Sequence, residues 1–309
     1  MYDNKMKYFV SIFLFTSFVM SFRLSLNAII FFRRKFMIHQ TAVIEPGAQI
    51  DPSAEIGPFC YISANAVIGA GCKLIARVSI LGNTVLGKGN VIFPGACLGG
   101  GPQDHGNEFQ EGARLFIGDN NVIRENVTMH AGTPKGQTSV HGETPEVLTT
   151  RVGSNGMFMV NSHIAHDCVV GDNVIMTNNA VIGGHVRLGD GVILGGNSAV
   201  HQFVRIGRKA MIGGMTGVGR DVIPFGMVTG DRGSLRGLNQ VGMKRSGYDE
   251  HTVKSVVRAY MYLFKSNDGT FEERVKTART KFADNPMVQE QLDFIDEAMH
   301  SRRQVLVAE

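Results

Sequence analysis

The chain predicts an all-β parallel β-helix closed at one end by a small α-helical domain. Three observations carry this. An aliphatic residue recurs every six positions through most of the sequence, and Gly, Asn and Asp crowd the positions between. The repeat then stops near Pro224, after which the pattern turns helical.

The repeat occupies ten positions from Ile44 to Leu98, then Ile117, Ile123 and Met129, then twelve positions from Val152 to Val218. Neither the helical period of 3.6 nor the strand period of 2 explains a spacing of six. A triangular prism does. Each hexad makes one short strand and a corner, and three hexads close a coil of 18 residues. The aliphatic side chain points inward and stacks on its equivalents, while corner residues take the sharp bend. The 25 positions imply about eight coils, and the prism is stable only as a stack.

Taken in order, residues 1–36 form a leader. Lys5 and Lys7 precede an apolar run from Tyr8 to Phe22, which is broken by Arg23 and followed by Arg33-Arg34-Lys35. The run is short for a spanning helix, and a secretory cleavage site is missing. Met37 stands immediately before the repeat, so the favoured reading is that the leader is not part of the working protein. A membrane anchor is the main competitor. The leader carries +5 of the overall +4, so the remainder is at −1 and gives no basic surface for nucleic acid. Four cysteines without a C-x-x-C pair suit reduced thiols in a cytoplasm.

The repeat pauses twice, with a step of 19 from Leu98 to Ile117 and of 23 from Met129 to Val152. Both are loops thrown out from corners. The first, with Gly99-Gly100-Gly101-Pro102-Gln103-Asp104, reads as functional, because glycine lets a ligand approach backbone closely. The second gives no preference. The prism is expected over 37–223 and a linker with helical domain over 224–309. A helix capped by Asp249 or Glu250 buries Val253, Val256, Val257, Tyr260, Met261 and Phe264, and further helices span about 270–283 and 286–303.

Against this scaffold stands Asn161-Ser162-His163-Ile164-Ala165-His166-Asp167-Cys168. Steps of 18 bring His166, the Gly183-Gly184-His185 turn and His201-Gln202 to one azimuth in successive coils, with His163 on the adjoining edge. A structural role for such edge histidines competes with two functional ones. Three imidazoles could bind zinc, as in a β-helix carbonic anhydrase. Alternatively His166 is a general base, Asp167 fixes its tautomer, and Gly184 offers a backbone N–H to an oxyanion. The spacing suggests no Ser or Cys nucleophile, so direct acyl transfer is favoured.

Ile123-Arg124-Glu125-Asn126-Val127-Thr128-Met129-His130-Ala131-Gly132-Thr133, the His163-Ile-Ala-His166-Asp167-Cys168 run, Gly184-His185 and His201-Gln202-Phe203 follow in that order. With them the chain resembles the acyl-carrier-protein-dependent UDP-N-acetylglucosamine O-acyltransferases of lipid A biosynthesis, from Met37 to about residue 300. The resemblance implies a homotrimer of left-handed parallel β-helices with sites in clefts between subunits. It implies a 3-hydroxyacyl chain moving from acyl carrier protein to the sugar 3-hydroxyl, with no cofactor. His166 would be the base. Asp104 would hold the glucosamine, and His163, His185, His201 and Gln202 would line the sugar and nucleotide site. Asn239 and Arg245 would grip UDP, and Met159 and Gly214 would lie along the acyl groove. The chain departs from the family's pattern at His105-Gly106, at Ser246 and at Val241, all on the nucleotide side. Arg114, Lys244 and Arg232 are candidates for the missing charge. Another UDP-amino-sugar is the alternative acceptor.

Overall fold

This computed structural model describes residues 38–105, 112–133, 149–300 and 305. The leader lies outside the described residues, as do 106–111 and 134–148 of the two excursions. Among the described residues no helix is long and apolar enough to cross a membrane.

Each of the 25 repeat positions falls in its own short strand, from β1 (Val43–Ile44) to β25 (Gly217–Val218). Each strand up to β22 pairs in parallel with the strand three further on. The chain therefore builds three sheets, one on each side of a prism. The repeat residues point inward and are fully buried from Ile56 onward. Ile44 and Ile50 are only half-buried, since the first coil is covered on one side alone. Each enclosed aliphatic side chain contributes about 1.5–3 kcal/mol, which holds two-residue strands together. Phe158 is the one aromatic in this inward stack. Gly156 makes room for it: a Cβ there would sit 2.7 Å from the Phe158 ring.

The corners turn through left-handed residues. At the corner between β15 (Met157–Phe158) and β16 (His163–Ile164) and its equivalents in the next coils, the ladder Asn161, Asn179 and Asn197 has φ of 60°, 59° and 56°. These side chains bond one another at 3.1 and 3.0 Å. Asparagine tolerates this region because its short amide can bond locally.

Past β25 the chain differs from a plain linker. Strands β26 (Gly226–Thr229) and β27 (Ser234–Leu238) form a hairpin, and β26 pairs with β24 (Met211–Ile212). Val228 and Leu235 are buried, so the hairpin extends one sheet and covers its end instead of leaving an open edge. Helix α1 (Gln240–Arg245) follows, then α2 (Glu250–Lys265), α3 (Phe271–Lys281) and α4 (Pro286–His300). Asp249 caps α2 by accepting from Thr252 N, and Thr270 opens α3 with a capping box to Glu273. Met261 departs from its expected buried position and is 51 % exposed. The buried stripe of α2 runs instead through Val253, Val256, Ala259, Tyr260 and Leu263. The helices are tied to the prism by buried Arg205. Its guanidinium donates to Asp221 at 2.8 Å and to the Phe294 carbonyl at 3.2 Å.

Candidate active site

The corner after β16 (His163–Ile164) and before β17 (Val169–Val170) holds His166 and Asp167. Ile164 is fully buried, so its packing fixes where the corner begins. His166 Nδ1 lies 2.7 Å from Asp167 Oδ2. An ionised carboxylate only accepts, so Nδ1 carries the hydrogen and Nε2 keeps its lone pair. Asp167 also accepts from Thr133, whose N–H reaches Oδ1 at 2.8 Å and whose hydroxyl reaches Oδ2 at 2.7 Å. Burial alone would raise the Asp167 carboxyl, but the donors on His166 and Thr133 and the nearby His185 hold it below the ordinary carboxylate range.

One coil further, Gly184 lies under the His166 ring. A Cβ there would stand 2.7 Å from Cε1 and 2.8 Å from Nε2, so only glycine lets the base sit where it does. Among the described residues the Gly184 N–H donates to no backbone carbonyl, while its carbonyl accepts from Phe203 N at 2.9 Å. The donor is therefore available to an oxyanion. Replacing Gly184 with alanine displaces the imidazole, and kcat is expected to fall by about 10²-fold with the fold intact. Steady-state rates beside a circular dichroism spectrum check this.

His185 packs its edge against His166, with centroids 5.3 Å apart, and its Nε2 is 3.7 Å from Asp167 Oδ2. Phe203 stacks on the other face of His185 at 4.5 Å. Asp167, His185 and Phe203 hold left-handed φ of 59°, 62° and 67°. A bulky side chain in that region is strained, and such strain gathers at functional sites.

His163 does not meet His166 directly in a hydrogen bond. Its Nδ1 pairs with the Thr128 hydroxyl at 2.7 Å, and its ring meets the edge of His130 at 5.1 Å. Burial, together with the His130 and His166 rings, pushes His163 down to about 4. Burial also lowers His130 and His185. The three rings are thus neutral near pH 7 beside an anionic Asp167.

The remaining predicted residues lie further out. Asp104 is exposed at the root of the first excursion, and its charge reaches His185. His201 and Gln202 are exposed, and His201 faces a cavity with Arg220, Asp231, Arg232 and Ser234. Asn239 is buried and caps α1: its oxygen accepts from Gly242 N, and its amide donates to the Lys209 carbonyl. Arg245 is exposed in the last turn of α1, and the neighbouring Ser246 hydroxyl accepts from Lys209 Nζ. Met159 and Gly214 belong to a different corner, that of the Asn ladder, so one chain does not bring them to His166. The zinc set His163, His185 and His201 does not converge. Among the described residues the group within 4.8 Å is His166, Asp167 and His185, already joined as a hydrogen-bonded dyad and its neighbour.

The chain as a whole has known relatives. The acyl-[acyl-carrier-protein]–UDP-N-acetylglucosamine O-acyltransferase of Caulobacter vibrioides is 49 % identical over 258 residues, covering 84 % of this chain and 94 % of that protein. This chain belongs to that family. The enzyme of Rhizobium johnstonii of the same name is 45 % identical over 262 residues, covering 84 % of this chain and 90 % of its own. The crystal structure of UDP-N-acetylglucosamine O-acyltransferase from Moraxella catarrhalis superposes with a TM-score of 0.79 at 37 % identity, covering 88 % of this chain and all of that one. Residues 221–306 match the family model for UDP N-acetylglucosamine O-acyltransferase, domain 2. The fold is the left-handed parallel β-helix with C-terminal helices.

Within this family member, sequence reasoning overlooked Thr133, Thr150, Thr128, His130 and Phe203 as parts of the site. His130 and Thr133 sit where the second excursion breaks the count of 18, so their azimuth could not be compared with that of Asp167. Phe203 carried a usable signal, because steps of 18 place it at the same corner as Asp167 and His185.

Proposed function

We infer that this chain transfers an acyl group from acyl carrier protein to UDP-N-acetylglucosamine, the first step of lipid A biosynthesis. Membership of the family supports this reading. The observation that carries the chemistry is the 2.7 Å bond from His166 Nδ1 to Asp167, which leaves Nε2 as a base beside an available Gly184 N–H. His166 Nε2 takes the proton of the sugar 3-hydroxyl as that oxygen attacks the thioester carbonyl of a 3-hydroxyacyl chain. The Gly184 N–H stabilises the oxyanion. Collapse expels the thiolate of the carrier's prosthetic arm, which takes the proton back from Nε2. Transfer is direct. The one thiol at the corner, Cys168, is buried and pushed up to about 12 by that burial, so it stays protonated and is a poor nucleophile.

The working unit is a homotrimer. Support comes from an unpartnered apolar column on one sheet, where Val91, Val122, Met157, Ile175, Ile193, Met211 and Met227 stand in register across seven coils facing outward. A second copy against such a face would also bring the corner of Met159 and Gly214 toward the corner of a neighbour's dyad, completing an acyl groove. Asp104, His163, His185, His201 and Gln202 then contact the sugar and nucleotide, and Arg245 the diphosphate. Asn239 shapes that segment by capping α1. The cytoplasm is the compartment that supplies both substrates, and four free thiols suit it.

Purified protein given acyl carrier protein thioesters and a panel of UDP-sugars is expected to acylate UDP-N-acetylglucosamine. Absence of acyl product with every UDP-sugar would overturn the assignment, and product with another UDP-amino-sugar alone would change the acceptor.

A further inference from the structure

The second excursion leaves the prism at Thr133 and returns at Thr149, and both of its roots hold Asp167. On the outgoing root, Thr133 is 1 % exposed and donates twice, from N–H to Oδ1 at 2.8 Å and from its hydroxyl to Oδ2 at 2.7 Å. On the returning root, the hydroxyl of fully buried Thr150 accepts from Asp167 N at 2.8 Å. The corner asparagines Asn161, Asn179 and Asn197 bond along their own ladder, whereas the Asp167 carboxylate is held from outside its ladder by Thr133.

We propose that Thr133 is a positioning residue for acyl transfer, fixing the plane of the Asp167 carboxylate and through it the tautomer and aim of the His166 ring. The proposal rests on His166 being the base. A carboxylate held by one donor can swivel about its terminal torsion, which is broad and soft. Two donors from one residue, one to each oxygen, remove that freedom and leave one direction on Oδ2 for His166 Nδ1. A base held this way keeps its lone pair on Nε2, where a productive geometry has a tolerance of about 0.5 Å. The second excursion is therefore a device that delivers two donors to the dyad from outside the regular coil.

Among the described residues, the titratable groups around the dyad are His185 from the next coil, His130 and His163 from the adjoining strands, and Asp104 from the first excursion. None of them replaces the Thr133 hydroxyl, because none donates to Asp167 within hydrogen-bond distance. In Thr133→Val the N–H donor stays and the hydroxyl donor goes. The carboxylate can then swivel away from His166 Nδ1, and the protonated imidazole loses part of its stabilisation.

The test uses the full chain with acyl carrier protein thioester and UDP-N-acetylglucosamine. For Thr133→Val, kcat is expected to fall by about tenfold to a hundredfold with both KM values unchanged, and the acid limb of kcat/KM to move to lower pH. Thr133→Ser, which keeps the hydroxyl, is expected to restore both. A valine variant with wild-type kcat and an unmoved acid limb would overturn the proposal, as would a serine variant as slow as the valine one. Should valine disturb folding, Thr133→Ala carries the same comparison. Ring ¹⁵N correlation spectra of histidine-labelled protein without substrate give a readout independent of turnover. The Nδ1–H tautomer of His166 is expected to dominate in the wild type and to lose population in Thr133→Val. An unchanged tautomer sinks the positioning role, whereas wild-type protein that makes no acyl product counts against the reaction itself.

Discussion

His166→Ala is expected to lower kcat by about 10⁴-fold, the upper end for loss of a general base, with the prism folded and its thermal transition unmoved. The effect is large because transfer is direct. A sugar hydroxyl is a weak nucleophile until its proton leaves, and among the described residues no second group at the corner is placed to take that proton. His185 is lowered by burial but points its Nε2 toward Asp167, and His163 is engaged with Thr128. The fold is spared because His166 is outside the inward stack that carries the stability. Single-turnover assays with acyl carrier protein thioester, set beside thermal melts, check both halves. A variant as active as the wild type would make the histidine corner incidental and the prism a binding scaffold.

Asp167→Asn is expected to cost about 10²–10³-fold in kcat, below the roughly 10⁴-fold seen when an analogous aspartate is exchanged in a serine-protease triad. Asparagine suits the backbone here: Asp167 has φ 59°, the same region that Asn155, Asn161, Asn173 and Asn179 occupy at other corners. Its amide can keep the Thr133 N–H bond through the oxygen. The NH₂ group then faces His166 Nδ1, which must accept instead of donate. The ring proton moves to Nε2, and the base arrives already protonated. The double variant with His166→Ala is expected to be no slower than His166→Ala alone, because the two residues act as one unit. Additive losses in that cycle would show that Asp167 works on the substrate by a separate route.

Much of the prism could be read directly from the chain. All 25 repeat positions fall in strands of their own, because a side chain enclosed on three sides must be aliphatic, and that requirement recurs wherever the coil does. The same regularity placed His166, Gly184 and His185 together, since 18 residues always return the chain to the same corner. The count failed where the chain left the coil. Thr133 is separated from the coil of Asp167 by the second excursion, so its two bonds to the carboxylate were invisible. The linker reading failed for a related reason: glycines at 226, 230, 233 and 237 look like loop residues, yet the sheet edge at β24 recruits them into a hairpin.

The sequence by itself determined the prism, its corner spacing and the dyad's address, because a periodic core writes its period into every coil. Only the tertiary structure decided which groups hold that dyad. It set the glycine beneath the ring, the threonines at the roots of the excursion, and the neutral state of three neighbouring histidines. It also showed that Met159 and Gly214 turn a different corner from His166. Those are matters of distance and burial across breaks in the repeat, and a linear count carries no information about them.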